Sequence, residues 1–215
     1  MNRLFLVLIP ILVAAWLPAP AAGVVPAERE LSFKAYMSGR ELGHHRLTFS
    51  DDNGAVVVDI DIQFRVRIAG ITVFRYEHRN REVYHDDRLV ALDAKTNDDG
   101  ERSSVIARIE GDALRVEGTQ GRHRLPLGTL ATTYWHIAIL RQKQIFDSQS
   151  GRLVDLVVTD RGRETITARG KKIEARRHNL KGGGFLDVDV WYDAAGVLVS
   201  LAFHARGNDV TYVLQ

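Results

Sequence analysis

The sequence predicts an all-β protein: a curled antiparallel meander, open or closed into a barrel-like sheet, of roughly 11–12 strands. One short helix is expected near residues 133–142. Three observations carry this. From Ala55 to Ile68 the chain alternates, with Val56, Val58, Ile60, Ile62, Phe64, Val66 and Ile68 on one parity and Asp59, Asp61, Gln63, Arg65 and Arg67 on the other. Successive strand side chains point to opposite faces, so this is a strand with one dry and one wet side, as in antiparallel sheets. Turn residues recur at short intervals. One segment, Thr132 to Arg141, is apolar without alternation.

In chain order, Pro26 and the charged Glu28-Arg29-Glu30 lead into a first strand at Leu31. Asp51-Asp52-Asn53-Gly54 turns the chain into the long strand over 55–68, and Ala69-Gly70 turns it back. The strand from Ile71 to Tyr84 carries Phe74, Tyr76, His78 and Tyr84 on one face and Arg75, Glu77, Arg79 and Arg81 on the other. Asn97-Asp98-Asp99-Gly100 and Glu110-Gly111-Asp112 are further turns. In Thr133–Gln142, Thr132 or Thr133 suits an N-cap and Arg141 a helix C-terminal end, giving a helix of two or three turns. After Gly182-Gly183-Gly184, the strands at 185–192 and 197–205 form a hairpin through Asp193-Ala194-Ala195-Gly196, and 210–214 is the last strand.

The N-terminus reads as an export signal. Asn2 and Arg3 precede an apolar run from Leu4 to Leu17, and Ala19-Pro20-Ala21 fits a small-residue cleavage site. The run contains Pro10 and falls short of the roughly 20 residues that span a bilayer. The expected organisation is therefore a signal peptide over 1–22 and a single all-β domain over 23–215. That domain is expected to be soluble and periplasmic or secreted, without a transmembrane segment. Cysteine is absent, which excludes disulfides, thiol nucleophiles, a lipoprotein anchor and thiolate metal sites. The net charge of +2 at pH 7 comes from interspersed acids and bases, and no like-charge run suggests nucleic acid.

Catalytic and nucleotide motifs are absent, and the acidic turns lack EF-hand spacing. No cofactor or metal is expected. Among eight histidines, His45 shares parity with Leu47 and Phe49, and His78 with Phe74 and Tyr76. Both are expected on apolar faces, with His44 solvated. Such histidines are usually core residues held by a hydroxyl or carbonyl. On neighbouring strands, the pair would also reach one metal or one substrate. Tyr134 and Trp135 offer apolar area with a polar tip for packing or ligand contact. Trp191 shares parity with Asp187 and Asp189, which fits either an exposed contact surface or a place beneath a loop. Those two carboxylates lie about 7 Å apart on one strand face, a weak glycosidase signal.

Several phrases together resemble a known family: Glu41-Leu42-Gly43-His44-His45, Phe74-Arg75-Tyr76-Glu77-His78, Thr96-Asn97-Asp98-Asp99-Gly100, Thr133-Tyr134-Trp135, Asp147-Ser148-Gln149-Ser150-Gly151 and Asp189-Val190-Trp191-Tyr192-Asp193. The chain is similar to an uncharacterised family of exported Gram-negative bacterial proteins, catalogued only as a domain of unknown function. The resemblance implies a periplasmic all-β domain and supplies no activity or residue roles. In that family Asn is commoner than His after the Tyr-Trp pair, which argues against a general catalytic role for His136.

Three functional readings follow, in order of preference. The first is binding of a small apolar or amphipathic, lipid-like envelope ligand, with His45, Phe74, Tyr76, His78, Tyr134 and Trp135 as candidate contacts. The second is a structural partner in an envelope assembly, its protein partners unknown. The third is a histidine-dependent hydrolase or metal-binding enzyme; the balance leans away from catalysis.

Overall fold

The computed structural model describes residues 25–215, so the expected signal at 1–22 lies outside the described residues. The alternating sequence becomes β1 (Glu30–Met37), β2 (Arg40–Asp52), β3 (Ala55–Ile68), β4 (Ile71–His85), β5 (Arg88–Asp98), β6 (Glu101–Glu110), β7 (Ala113–Gly118) and β8 (Gly121–Pro126). A connecting segment with a 3₁₀ helix (Ile137–Arg141) follows. Then come β9 (Gln144–Phe146), β10 (Leu153–Ala168), β11 (Lys171–Gly182), β12 (Leu186–Tyr192), β13 (Leu198–Ala205) and β14 (Asn208–Leu214).

The expected all-β antiparallel class is the one observed. Among the described residues the strand count rises to fourteen. The additional elements include β9, whose three residues are too few for alternation to show in sequence. All fourteen strands share one sheet, in the order β8-β7-β6-β5-β4-β3-β2-β1-β14-β13-β12-β11-β10-β9. Two meanders therefore meet where β1 pairs β14, with Phe33 opposite Leu214. Bulges at Ala35/Tyr36, Val66/Arg67, Val83/Tyr84, Asp160/Gly162 and Trp191/Tyr192 bend the strands. Each bulge increases local twist, and together they curl the sheet around its apolar face.

Among the described residues the sheet does not close by strand pairing. Its two ends meet through a tight backbone seam instead. Gln120 N–H donates to Ser150 O at 2.9 Å. A Cβ on Gly118 would sit 2.3 Å from that oxygen, so only glycine permits this approach.

The inward parity fills the concave side. Leu31, Phe33, Leu47, Phe49, Val58, Ile60, Leu92, Val105, Ile139, Phe146, Val190 and Leu201 belong to one continuous core. Fully burying each such side chain is worth about 1.5–3 kcal/mol.

The expected two- or three-turn helix shrinks to a single 3₁₀ stretch, because Tyr134 adopts φ 62° and breaks helical propagation. His136 caps that stretch: its Nδ1 accepts from Ala138 N–H. The segment lacks strand periodicity because it crosses one end of the curled sheet and buries side chains in several directions. Trp135 packs edge-on to Phe49 and Tyr84, with centroids 5.3 and 5.0 Å away. This end of the sheet is thereby sealed.

Candidate functional site

The opposite end is open. A cavity of about 540 Å³ runs into the concave face, reached between the turns that join β3 to β4, β5 to β6, β11 to β12 and β13 to β14. Its walls are apolar, among them Leu42, Ile60, Ile62, Phe64, Leu201 and Val210. Its polar lining includes His45, His78, Thr132, Thr133, Asp147, Ser148, Gln149 and the tyrosines Tyr76, Tyr134 and Tyr212, with Asp98, Asp99, Asp187, His204, Arg206 and Asn208 on the turns and strand ends at the mouth.

Strand register explains the two histidines. His45 on β2 lies opposite Ile62 on β3, and Ile62 lies opposite His78 on β4. Contrary to expectation, the histidines are not on neighbouring strands. Their backbones are two strand spacings apart, roughly 10 Å. Both are buried. His78 Nδ1 shares a 2.9 Å hydrogen bond with Thr96 Oγ1, its register neighbour on β5. His45 is only 4% exposed, and neither ring nitrogen has a hydrogen-bond partner among the described residues. Its ring lies between Phe33 and Tyr212, with centroids at 5.9 and 5.6 Å. Burial, assisted by His78 and His44, lowers its pKa to about 3. Burial lowers that of His78 to about 4, partly opposed by Asp147 and Asp61. Both imidazoles are therefore neutral at physiological pH.

The tyrosines add hydroxyls. Burial raises the pKa of Tyr76, Tyr134 and Tyr212 far above the ordinary phenol range, so all three keep their protons. Tyr134 holds its left-handed backbone through its carbonyl, which accepts a 2.5 Å bond from Tyr192 Oη. Strain of this kind persists only where the surroundings enforce it. Asp147 is fixed nearby: it accepts from Ser150 N–H at 3.1 Å and Ser150 Oγ at 2.5 Å, and from Thr132 Oγ1 at 3.1 Å.

Of the residues singled out from sequence, His45, Phe74, Tyr76, His78 and Tyr134 line this cavity, and Trp135 does not. Trp135 Nε1 donates 2.9 Å to Glu82 Oε2 in a separate buried cluster at the sealed end. Glu82 also accepts from Asn80 Nδ2 at 2.9 Å and Tyr84 Oη at 3.0 Å, and from the Thr133 side chain. Asn80, Glu82, Thr96, Asp147 and Tyr212 were missed. Asn80 and Glu82 share the parity of His78 and Tyr84 on β4, a signal present in the sequence.

Other expectations are corrected. Trp191 is buried, its Nε1 bonded to Glu164 and its ring covered by the Arg177 guanidinium at 5.0 Å. Asp187 pairs with Lys181 at 2.9 Å and Asp189 with Arg177 at 2.7 Å, so neither is a free catalytic carboxylate. Among the described residues, no group of three or more His, Asp or Glu side chains is placed to hold a metal ion.

The phrases from Glu41-Leu42-Gly43-His44-His45 to Asp147-Ser148-Gln149-Ser150-Gly151 all put residues on the cavity wall; the Asp189–Asp193 phrase does not. Among solved structures, the chain is similar to a β-barrel-like protein of Domain of Unknown Function DUF1849 from Brucella abortus. The TM-score is 0.62 at 11% identity, covering 86% of this chain and 95% of that one. That likeness concerns the fold alone. Part of the chain (46%) is 32% identical to the lysylphosphatidylglycerol biosynthesis bifunctional protein LysX of Mycolicibacterium gilvum, over only 10% of that protein's length. The family match is broader: residues 33–215 fit the model described as Domain of unknown function (DUF6134), and the chain belongs to that family.

Proposed function

We propose that this protein binds one apolar or amphipathic, lipid-like ligand in the bacterial envelope, exported there by its N-terminal signal. The observation that carries the reading is His45: a neutral imidazole on the wall of an apolar cavity, with both ring nitrogens buried and unpartnered among the described residues. Leaving a buried polar group unsatisfied costs about 1–3 kcal/mol, a cost a bound molecule can offset. The cavity volume lies within the range of small-molecule sites.

The chemistry of the polar groups narrows the class. His45 and His78 are uncharged and the tyrosine hydroxyls protonated, while Asp147 lies close enough to act on His78, Tyr76 and Tyr134. Beside His45 and His78 an anionic headgroup would be desolvated with no charged imidazole to pair it. A hydroxyl, ester or ketone oxygen would be matched by these donors. The ligand is therefore a neutral-ended amphiphile, its chain against Ile60, Ile62, Phe64 and Leu201.

The test is native mass spectrometry on protein purified without detergent, followed by solvent extraction. A co-purifying neutral lipid in one-to-one ratio is expected. Protein that is always empty, and that takes up neither long-chain alcohol nor diacylglycerol, would overturn the reading.

A further inference from the structure

We infer that the cavity mouth is a docking surface for an anionic lipid bilayer, led by the β3–β4 hairpin. This goes beyond the ligand reading and rests on different residues. Ile71 is 69% exposed and Val73 48% exposed on this hairpin, and Phe185 is 47% exposed on the β11–β12 turn. Val73 and Phe185 also line the cavity. Large apolar side chains from two separate turns thus ring one opening, where the penalty for their exposure has a use.

Charge decides the occupant. On the outer face of the hairpin, register places Asp59 opposite Arg81 and Asp61 opposite Arg79, a complementary arrangement. Towards the tip the pattern reverses, and Arg65 lies directly opposite Arg75. Like charges facing across a strand pair are destabilising. Neither arginine, nor the neighbouring Arg67, makes an ion pair among the described residues, and all three are exposed. Of the acids at the mouth, Asp98 pairs with Arg206 at 2.9 Å and Asp187 with Lys181, Asp99 accepts from Arg75 N–H, Asp209 contacts His204 at 2.9 Å, and Glu101 makes no ion pair among the described residues. Arg206 itself lies over Phe74 at 4.5 Å, and Arg152 over Phe185 at 4.4 Å. Exposed aliphatic residues backed by unpaired arginines complement an anionic interface, where each basic side chain near the surface adds about fivefold to partitioning. The geometry points a membrane at the opening through which a lipid-like ligand would enter.

The experiment is co-sedimentation of the full chain with pure phosphatidylglycerol and pure phosphatidylcholine vesicles. Binding to the former and not the latter is expected. Combining Arg65→Gln, Arg67→Gln and Arg75→Gln should reduce partitioning roughly a hundredfold, and high salt should mimic the loss. Ile71→Ser with Val73→Ser should weaken binding at every salt concentration. In a Val73→Trp variant, emission should shift to the blue on phosphatidylglycerol vesicles. Absence of vesicle binding, or binding that ignores all these changes, would overturn the proposal and leave the ring as a protein contact. Ligand uptake from detergent micelles is measured on the same variants. Docking without uptake sinks the cavity reading alone, and uptake without docking sinks only this one.

Discussion

His45 on β2 and His78 on β4 both take Ile62 of the intervening strand as their register partner, so two imidazoles face one cavity across a single isoleucine. The row treats them unequally. Thr96 satisfies His78, and nothing among the described residues satisfies His45. Replacing His45 by Phe therefore has opposite expected effects on stability and binding. The ring fits an aromatic neighbourhood of Phe33 and Tyr212, and an unsatisfied polar group is removed. Empty protein should gain about 1 kcal/mol, or roughly 2–4 °C in Tm. Retention of a neutral amphiphile should fall about tenfold or more. Thermal melts of delipidated protein and ligand titration check both. Unchanged affinity would remove His45 from the site.

The same pair makes stability depend on pH. In the unfolded chain both histidines titrate near 6.5, whereas burial depresses their folded values to about 3 and about 4. Below about pH 6.5 the unfolded state gains protons the folded state refuses, so stability falls with pH. It stops falling only as the folded values are reached. Each histidine costs about 1.4 kcal/mol per pH unit in that window, about 4 kcal/mol for the pair at pH 5. Glu82 works in the opposite direction: burial raises its pKa, so its contribution is lost as pH rises through the folded value. Urea midpoints across this range should drop on acidification, with a shallower slope in His45→Phe; His136 and His178, whose pKa values burial also lowers, add to the slope that remains. A flat profile would show that the histidines are not neutral in the folded protein.

What the sequence disclosed tracks how completely each strand separates wet from dry. β3 does so from Val58 onward, and its faces were readable, although Val57 on the polar parity is buried. On β4 the inward parity carries His78, Asn80, Glu82 and Tyr84, and a reading that sends polar residues outward passes over the middle two. His45, Tyr76 and His78 were legible because aromatic or imidazole groups sat on an apolar parity. Thr96 and Asp147 were not, since their roles depend on which strand or loop lies opposite. Nor does anything local announce the positive φ of Tyr134 that turns an expected helix into a crossing segment. That angle is imposed from outside, by Tyr192 Oη and by the anchoring of Trp135.

The Trp135 anchor is testable by itself. Glu82 is fully buried, and its carboxyl oxygens are occupied by donors from Asn80, Tyr84, Thr133 and Trp135. Trp135→Phe keeps most of the apolar contact with Phe49 and Tyr84 and deletes one donor. Removing one donor from a buried acceptor costs about 1–3 kcal/mol, so denaturant unfolding should show a loss of that size. Adding Glu82→Gln to Trp135→Phe should recover part of it, because the buried acid no longer needs the indole. Equal losses in the single and double variants would show that Trp135 acts through packing alone.

Closure of the curled sheet depends on a contact that tolerates no side chain. Gly118 and Gly151 meet where β7 ends and the loop before β10 begins. A Cβ on Gly118 would lie 2.7 Å from Gly151 Cα as well as 2.3 Å from Ser150 O. Both obstacles are backbone, so neither can rotate away, and Gly118→Ala must part the seam or shift β7. The expected cost is about 1–3 kcal/mol or more. Gly111→Ala is the control: its Cβ would meet nothing within 4 Å, and it reports only the strain of φ 63°. Because Asp147 and Ser150 belong to the same loop, opening the seam should also loosen the cavity floor. Hydrogen exchange should accelerate over β7, β8 and residues 147–152 in Gly118→Ala while the β1–β14 junction stays protected. Uniform acceleration instead would mean that the seam is not a separate closure and that the sheet opens as one unit.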